Sequence, residues 1–487
     1  MTDIRLTDVS IRDGNQSLWG ATGLNTAQIL EIAPVLNRVG FAAIDFTSST
    51  HMAVAVRYAK ENPWERIRLM HKAAPDTPLQ FITTGMRFAS WEASDPEFMR
   101  LAFRRLVANG MQKFIVLDPQ HDLDALLAAC RMVKEESGTV MAALTYTVSD
   151  VHDDAFYAGL AREIAKSPYV DCCYIKDPAG ILLPDRARTL IPAVQRALGK
   201  MPLELHSHCT IGLSPLTYMI AAELGVPTLH TALGPLANGT SLPSATRAVA
   251  NLRELGHRVE LDDAALARAE DYFTRLAQAE GLPCGQPREF DAAFLRHQIP
   301  GGTITTLKRQ LKELKQEHRW QALVEEVPRV RAELGYPIMV TPFPQIVCTQ
   351  ALFNVIGDER YGNVPDQVIR YVLGRFGRPT APVDSDVRDK IMGSARAREL
   401  TNEPPPPGLK ELRARFSPTL SDDEFLLRAV MPGEQVDAMT SSGPVPRHYN
   451  PDARPLMALL REAVSRRDIS HVVIEKPKLR IELRGRT

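Results

Sequence analysis

The stretch Leu203-Glu-Leu-His-Ser-His-Cys-Thr210 ends a short apolar run with two histidines that lie two residues apart. On a β-strand, side chains at positions i and i+2 point to the same face, so His206 and His208 can share one site. Histidine is the commonest metal ligand among the side chains. The stretch therefore indicates either a metal-binding pair at a strand end or two histidines whose ring nitrogens are satisfied by hydrogen bonds.

Two other segments place polar side chains directly after an apolar, strand-like run. One is Ser10-Ile-Arg-Asp-Gly-Asn-Gln-Ser17, which contains Asp13, and the other is Tyr174-Ile-Lys-Asp-Pro-Ala-Gly180, which contains Lys176. Both occupy the same kind of position as the two histidines. We therefore expect the three segments to form one site.

The first 290 residues alternate β-rich runs with helical patterns, separated by Gly and Pro. The eight predicted strands are Ile4–Ile11, Ala42–Thr47, Leu79–Thr84, Lys113–Asp118, Thr139–Tyr146, Val170–Asp177, Pro202–His208 and Thr228–Leu233. The helical segments between them are Thr26–Arg38, Trp64–Ala74, Asp95–Ala108, Asp122–Glu136, Asp153–Lys166, Pro184–Leu198 and Pro215–Leu224. Eight such βα units predict an α/β fold, the TIM (β/α)8 barrel.

The positions of the polar residues agree with this fold. Enzymes built on the barrel place their chemistry at the carboxyl ends of the strands. Asp13 follows predicted strand 1, Lys176 ends strand 6, and His206 and His208 end strand 7.

The chain is long enough for more than one domain. We predict a metal-binding barrel over 1–256, a helical extension over 257–400 that covers the barrel mouth, a Pro-rich linker over 401–408 and a small α+β domain over 409–487. The candidate helices of the extension are Leu307–Glu317, Trp320–Leu334 and Pro365–Leu373. In the small domain, Arg447–Pro455 is expected to be an irregular loop and Ile469–Leu483 to contain two short strands.

Charge and composition exclude several classes of protein. Lys and Arg together number 58, as do Asp and Glu, so the chain lacks the basic field that nucleic-acid binding requires. No apolar run approaches the length of about 18 residues that marks a membrane span. The six cysteines are scattered, which argues against a disulfide framework. We expect a cytoplasmic protein without membrane insertion.

The residue types at the strand ends suit a divalent cation. Asp13, His206 and His208 are ordinary ligands of Zn²⁺ or Mn²⁺ and would leave coordination positions open for a substrate. The ammonium group of Lys176 has no lone pair, but a lysine that has captured CO2 is an anionic carbamate and can be a ligand. Alternatively, Lys176 forms a salt bridge with Asp177 or contacts a phosphate.

Several motifs across the chain resemble the carboxyltransferase domain of pyruvate carboxylase, the oxaloacetate decarboxylase α subunit and the transcarboxylase subunit of the same fold. The resemblance covers residues 1–400 strongly and 420–487 weakly. The motifs are Arg12-Asp-Gly-Asn-Gln-Ser17, Asn62-Pro-Trp-Glu-Arg66, Ile175-Lys-Asp-Pro-Ala-Gly180, His206-Ser-His208, Ala237-Asn-Gly-Thr-Ser241, His297-Gln-Ile-Pro-Gly-Gly302, Leu334-Gly-Tyr-Pro337 and Val340-Thr-Pro-Phe-Pro-Gln-Ile-Val347.

The resemblance implies a role for each matching residue. Zn, Mn or Co would be held by Asp13, Lys176 as its carbamate, His206 and His208. Arg12 and Gln16 would line the substrate side, and Thr240 would carry a proton between the ureido nitrogen of carboxybiotin and the acceptor. Taken alone, a threonine in a Gly-Thr-Ser turn such as Thr240 is more often a helix N-cap, and only the resemblance favours the catalytic role; Gln16 is also explained as a hydrogen-bonding loop residue.

The family resemblance also implies partner proteins. The sequence contains neither a Met-Lys-Met site for biotin attachment nor a Gly-rich ATP-grasp segment. Carboxybiotin is therefore expected to arrive in trans, from a biotin carboxyl carrier protein that a biotin carboxylase subunit loads. Family analogy also predicts a homodimer.

The pocket for the small-molecule acceptor departs from the family pattern at three places. Where relatives read Leu-Leu-Arg-Gly, this chain reads Ile82-Thr-Thr-Gly85, with Thr84 in place of the arginine that clamps a keto-acid carboxylate. The family's arginine on strand 4 is also absent from Phe114-Ile-Val-Leu-Asp118, and Thr47-Ser-Ser-Thr-His51 replaces Trp-Gly-Gly-Ala-Thr. We predict an acceptor other than simple pyruvate, bound by Gln16, Thr84, Arg87 and Asp118, with Arg87 as the candidate replacement for the missing arginine.

Two other functions remain compatible with parts of this pattern. Aldolase-type lyases and acyl-CoA condensing enzymes of the same barrel superfamily share an Arg-Asp-Gly-x-Gln start and a His-x-His. They lack the lysine at the end of strand 6 and the His-Gln-Ile-Pro-Gly-Gly loop. The second alternative is a catalytically inactive scaffold, which would bind no metal.

Overall fold

The computed structural model describes residues 3–90, 93–449, 459–460, 462, 466, 471–476 and 479–484. The chain divides into two compact units, Met1–Val445 and Pro446–Thr487. None of the helices in these described ranges has the length and apolar character needed to cross a bilayer.

The first unit contains a closed barrel of eight parallel strands, which confirms the predicted (β/α)8 fold. The strands are β1 (Arg5–Asp8), β2 (Ala43–Ser48), β3 (Leu79–Thr84), β4 (Lys113–Leu117), β5 (Thr139–Thr145), β6 (Cys172–Asp177), β7 (Leu203–Ser207) and β8 (Thr228–Thr231). Pairing of β1 with β8 closes the barrel. The register places Lys176 of β6 opposite both Thr145 of β5 and His206 of β7.

Helices surround the barrel and continue into the extension. They are α1 (Asn15–Trp19), α2 (Thr26–Val39), α3 (Ser49–Val54), α4 (Pro63–Ala73), α5 (Pro96–Ala108), α6 (Leu123–Glu135), α7 (Asp154–Ala165), α8 (Pro184–Leu198), α9 (Ser214–Glu223), α10 (Ala245–Glu254), α11 (Asp263–Glu280), α12 (Ala293–His297), α13 (Gly301–Glu313), α14 (Trp320–Glu333), α15 (Phe343–Ile356), α16 (Asp366–Val372), α17 (Ser385–Met392), α18 (Ala395–Thr401), α19 (Leu409–Ala414), α20 (Asp422–Val430) and α21 (Gly433–Ser441).

The predicted end of strand 1 is wrong, because β1 stops at Asp8 rather than at Ile11. The Asp8 carboxylate accepts hydrogen bonds from the backbone N–H of Ser10 at 3.2 Å and from its hydroxyl at 2.5 Å. Such an Asx-type turn diverts the backbone from the sheet. Residues Ser10–Gly14 then form a π-helical turn.

The helical extension is anchored at the carboxyl end of β5. Arg331 of α14 donates to the carbonyl oxygen of Val148 and to the hydroxyl of Thr147, both at 2.8 Å. Gln298 accepts from the same hydroxyl at 2.7 Å, and Val340 packs against the apolar side of the barrel interior. The extension therefore lies over the barrel mouth, as predicted.

The helices that follow the Pro-rich segment pack on the barrel. The Trp64 indole N–H donates to the carbonyl oxygen of Asp423 at 2.8 Å, and Arg105 Nε lies 2.8 Å from the Asp423 carboxylate. Phe425 packs edge-on against Phe98, with ring centroids 6.1 Å apart. The compact unit thus extends beyond the linker to Val445. The individual domain boundaries proposed above stay a prediction.

The second unit contains an antiparallel pair of strands, β9 (His471–Lys476) and β10 (Leu479–Arg484). These two strands correspond to the two predicted in the segment 469–483. Most of the predicted irregular loop over 447–455 lies outside the described residues.

The packing of α20 on the barrel predicts a large effect of Phe425→Ala. Phe425 is fully buried, so its truncation should lower the free energy of unfolding by about 3–5 kcal/mol in a urea titration. Phe290→Ala is the control, because the Phe290 side chain is 51% exposed and its loss should change stability by less than about 0.5 kcal/mol. Equal unfolding curves for the two variants would show that α20 does not contribute to the core.

Candidate active site

Four ionisable side chains converge at the carboxyl end of the barrel. Oδ2 of Asp13 lies 3.2 Å from Nε2 of His206 and 3.5 Å from Nζ of Lys176. Oδ1 of Asp13 lies 3.5 Å from Nε2 of His208. All four side chains are buried, so the structure brings together the four predicted metal-binding residues.

The donor atoms of this cluster fit a divalent cation. Nε2 of His206 lies 3.1 Å from Nε2 of His208 and 3.2 Å from Nζ of Lys176. Two imidazole nitrogens that both direct lone pairs at one point require a proton or a cation between them. One ligand atom from each of Asp13, His206 and His208 lies within 4.8 Å of the others, and one carboxylate with two imidazoles is a common donor set.

A hydrogen bond fixes which nitrogen of His208 is available. Nδ1 of His208 lies 2.7 Å from the carbonyl oxygen of Thr240. Because a carbonyl only accepts, Nδ1 carries the proton and Nε2 keeps its lone pair. His208 is thus held in the tautomer that a metal ligand needs.

The turn after β1 positions Asp13. The backbone N–H groups of Asp13 and Gly14 both donate to the carbonyl oxygen of Val9, at 2.9 and 3.0 Å. Gly14 is required here, because a Cβ at this position would lie 2.9 Å from the carbonyl oxygen of Leu236. The hydroxyl of Ser17 donates to Oδ1 of Asp13 at 3.0 Å and orients the carboxylate.

Arg12 lies behind Asp13 and is buried between two carboxylates. Its Nη1 is 2.9 Å from Oδ2 of Asp13, and its Nε donates to Oδ2 of Asp45 at 2.8 Å. Burial opposes the charge of Arg12, yet Asp13 and Asp45 raise its pKa above the ordinary value. Burial likewise opposes ionisation of Asp13, but Arg12, His208 and Lys176 hold the pKa of Asp13 well below its usual range.

Opposing effects also act on the pKa of the Lys176 amine. Burial lowers its pKa, Asp13 acts in the opposite direction, and Arg12 adds to the lowering. The net lowering of the pKa shifts the equilibrium toward the neutral amine, which is the nucleophilic form. This lysine lies against Asp13 and His206. The alternative salt bridge with Asp177 is not formed, because the Asp177 carboxylate accepts hydrogen bonds from the backbone N–H groups of Ile181 and Leu182.

Thr240 contacts the cluster through His208, whereas Gln16 is exposed to solvent. Besides binding His208 through its carbonyl, Thr240 donates its hydroxyl to the carbonyl oxygen of Ser17 at 2.8 Å. The alternative role as a helix N-cap is wrong, because Ser244 caps α10. Gln16 lies exposed in the first turn of α1.

The other predicted substrate-binding residues lie at the ends of β3 and β4. Thr84 pairs with Leu117, and the buried guanidinium of Arg87 lies 5.5 Å from the ring centroid of Phe376. Asp118 accepts from two backbone N–H groups, and burial raises its pKa to about 6. This group follows β3 and β4, whereas the metal-ligand cluster follows β1, β6 and β7 of the same closed barrel.

Several residues near the cluster were not predicted from the sequence. Asp45 binds Arg12, while Glu204 and His230 lie buried in β7 and β8. Each is an ionisable side chain within a buried strand, and such a residue is rarely buried without a partner. That signal was present in the sequence, but it does not identify the partner.

Comparison with known proteins gives consistent matches. The family model of the conserved carboxylase domain matches residues 294–457. A pyruvate carboxylase subunit of Methanothermobacter thermautotrophicus is 34% identical over 397 residues, which cover 81% of this chain and 69% of the relative. The 2-oxoglutarate carboxylase large subunit of Hydrogenobacter thermophilus is 31% identical over 443 residues, which cover 89% of this chain and 68% of the relative.

A solved structure matches the fold. The carboxyl transferase domain of Rhizobium etli pyruvate carboxylase with pyruvate superposes with a TM-score of 0.82 at 24% identity. The match covers 93% of this chain and 80% of that structure. The barrel and its helical extension therefore have the architecture of that domain.

The burial of Arg12 between two carboxylates predicts that Asp45→Asn is strongly destabilising. Removing one charged partner of a buried arginine should lower the free energy of unfolding by about 3 kcal/mol, as measured by urea denaturation. Asp124→Asn serves as the control, since the Asp124 side chain is 92% exposed. If both variants unfold at the same urea concentration, Arg12 does not depend on Asp45.

Proposed function

Because this chain belongs to the family of biotin-dependent carboxyltransferases that includes its pyruvate carboxylase and 2-oxoglutarate carboxylase relatives, we propose that it moves a carboxyl group between carboxybiotin and an enolisable carbonyl or acyl acceptor. The observation that carries the proposal is the buried convergence of Asp13, Lys176, His206 and His208 at the barrel mouth. Membership of this family favours carboxyl transfer over the aldolase-type and acyl-CoA condensing alternatives.

The biotin carboxyl carrier protein and the biotin carboxylase are proposed to be separate partners. The two relatives compared above are themselves named as subunits, which supports this division of the reaction among several chains. The homodimer and the cytoplasmic location remain predictions from the sequence.

We propose that Asp13, His206, His208 and a carboxylated Lys176 hold one Zn, Mn or Co ion. When bound, this cation would act as a Lewis acid on the carbonyl oxygen of the acceptor. Arg12 keeps Asp13 ionised, and Thr240 keeps Nε2 of His208 free, so both residues maintain the donor set. Gln16, exposed in the first turn of α1, is proposed to contact the substrate.

Carboxylation of Lys176 is proposed to start from its neutral amine. The neutral nitrogen forms a C–N bond with CO2, and the displaced N–H proton leaves to water. The product is an anionic carbamate with oxygen donors, which removes the conflict between a cationic ammonium and a bound cation. Nζ of Lys176 lies 3.5 Å from the Asp13 carboxylate and 3.2 Å from Nε2 of His206, so the carbamate forms within the cluster.

Thr240 is proposed to carry the proton during transfer. The N–CO2 bond of carboxybiotin breaks, and the released CO2 forms a new C–C bond with the acceptor carbon. The proton that leaves this carbon passes to Oγ1 of Thr240, while the hydroxyl's own proton passes to the ureido nitrogen of biotin. In the resting state this hydroxyl donates a hydrogen bond to the carbonyl oxygen of Ser17.

The acceptor is proposed to be larger than pyruvate and to reach the group formed by Thr84, Arg87 and Asp118. The buried Arg87 is a cation close to the end of β3, where the family pattern has an arginine at the position of Thr84. Since one relative is a 2-oxoglutarate carboxylase subunit, 2-oxoglutarate belongs in the acceptor screen with pyruvate and acyl compounds.

Lys176→Ala is expected to lose metal and activity together. Elemental analysis should find about one divalent ion per wild-type chain prepared with bicarbonate and a strongly reduced amount in the variant, because one ligand is missing. Lys166→Ala is the matched control, since that side chain is 64% exposed. A Lys176→Ala protein with full metal content and full carboxyl transfer would contradict the proposed role.

Arg87→Ala is expected to raise the KM for an anionic acceptor by roughly ten- to a hundredfold, because a charged hydrogen bond is lost. Metal content should not change. Arg378→Ala is the control, with a side chain that is 73% exposed. Pyruvate turning over as efficiently as any longer acceptor, with Arg87→Ala behaving as wild type, would disprove this assignment of the acceptor pocket.

A further inference from the structure

A chain of three buried side chains leads away from the metal-ligand cluster into the barrel interior. Nδ1 of His206 lies 3.4 Å from Nδ1 of His230, and Nε2 of His230 lies 2.9 Å from Oε2 of Glu204. His206 and His230 are completely buried, and Glu204 is 5% exposed. The other carboxylate oxygen of Glu204 lies 3.6 Å from Nζ of Lys113, at the start of β4.

The hydrogen bonds of this chain have one consistent direction. A carboxylate can only accept, so Nε2 of His230 carries the proton that it donates to Glu204. In a neutral imidazole the other nitrogen then has a lone pair, and Nδ1 of His230 can accept. Nδ1 of His206 therefore carries a proton and donates it to His230, which leaves the lone pair of His206 on Nε2.

Neighbouring groups fix the ring of His230. The ring of Tyr174 lies against it, with centroids 4.9 Å apart, and also contacts the ring of His206. The hydroxyl of Tyr218 donates to the backbone carbonyl of His230 at 2.6 Å and accepts from the backbone N–H of Ser207. These contacts hold β8 and β7 in the register at which the two Nδ1 atoms face each other.

The two histidines of the cluster are thus oriented by different acceptors. His208 donates to the backbone carbonyl of Thr240, whereas His206 donates to a side chain that is itself bound to a carboxylate. A carboxylate behind a ligating histidine fixes its tautomer and raises the basicity of the ligand nitrogen. The inference below rests on the proposed metal site.

We propose that Glu204 and His230 are positioning residues, which hold His206 as the Nδ1–H tautomer so that its Nε2 is available to a divalent cation. Neither residue touches the cation or the substrate. Their effect acts through His206, and it is already present in the metal-free protein.

The first test measures Co²⁺ binding to metal-free protein by titration, followed by visible absorption. His230→Leu fills the site with an apolar side chain and removes the acceptor for His206, so the Co²⁺ dissociation constant should rise by about 10- to 100-fold. For Glu204→Gln the constant should rise by about tenfold, because the charged acceptor becomes neutral. His230→Asn, whose side-chain oxygen can accept near the position of Nδ1, should recover part of the affinity.

His318→Leu is the control, because this histidine lies exposed in a turn before α14. Unchanged Co²⁺ affinity in folded Glu204→Gln or His230→Leu would overturn the inference while leaving the metal site intact. If His230→Leu does not fold, Glu204→Gln decides the question. Wild-type protein that binds no Co²⁺ would instead refute the proposed metal site.

The second test reads the tautomer directly and needs no metal. Long-range ¹H–¹⁵N correlation spectra of metal-free protein with ¹⁵N-labelled histidine distinguish Nδ1–H from Nε2–H rings, and His206→Gln identifies the signal. The wild type should show Nδ1–H for His206, with a loss of this preference in His230→Leu. An Nε2–H ring in the wild type would contradict the proposal whether or not the protein binds a metal.

Discussion

The close approach of Asp13, Lys176, His206 and His208 is the interaction on which the rest of the site depends. Five contacts of 3.1–3.5 Å link these four buried ionisable groups. Such a cluster is costly unless its charges are compensated and its nitrogens carry the right protons. Arg12 compensates the negative charge of Asp13. A backbone carbonyl and a side-chain nitrogen accept hydrogen bonds from the two imidazoles and so fix their tautomers.

The barrel interior has an apolar part and a part with ionisable side chains, and the second part supports the charged cluster. Between β3 and β6 it is filled by an apolar cluster that includes Ile82, Ile115 and Met141, and Val340 packs on it from the helical extension. On the side of β7 and β8 the interior contains Glu204, His206 and His230. The apolar half supplies the burial that stabilises the barrel, while the polar half is organised around the cluster.

Sequence periodicity predicted the barrel well, since the strands are apolar runs and most surrounding helices show one apolar face. It failed for α15, nine of whose residues are buried, because a helix buried on most sides shows no amphipathic pattern. The histidine pair and Lys176 could be located because chemistry in this fold lies at strand ends. Their supporting residues Asp45 and His230 could not be paired in advance, since those contacts join strands or turns that are distant in sequence.

The π-helical turn Ser10–Gly14 makes the length of this segment as important as its residue types. A π-turn contains one residue more than the α-turn it replaces. Loss of any single residue between Val9 and Gly14 would restore α-helical winding and rotate the following side chains by about 100° around the local axis. Asp13 and Arg12 would then face different surroundings although both were still present. All five residues of this turn are buried, so evolution of the segment should reject insertions and deletions as strongly as substitutions.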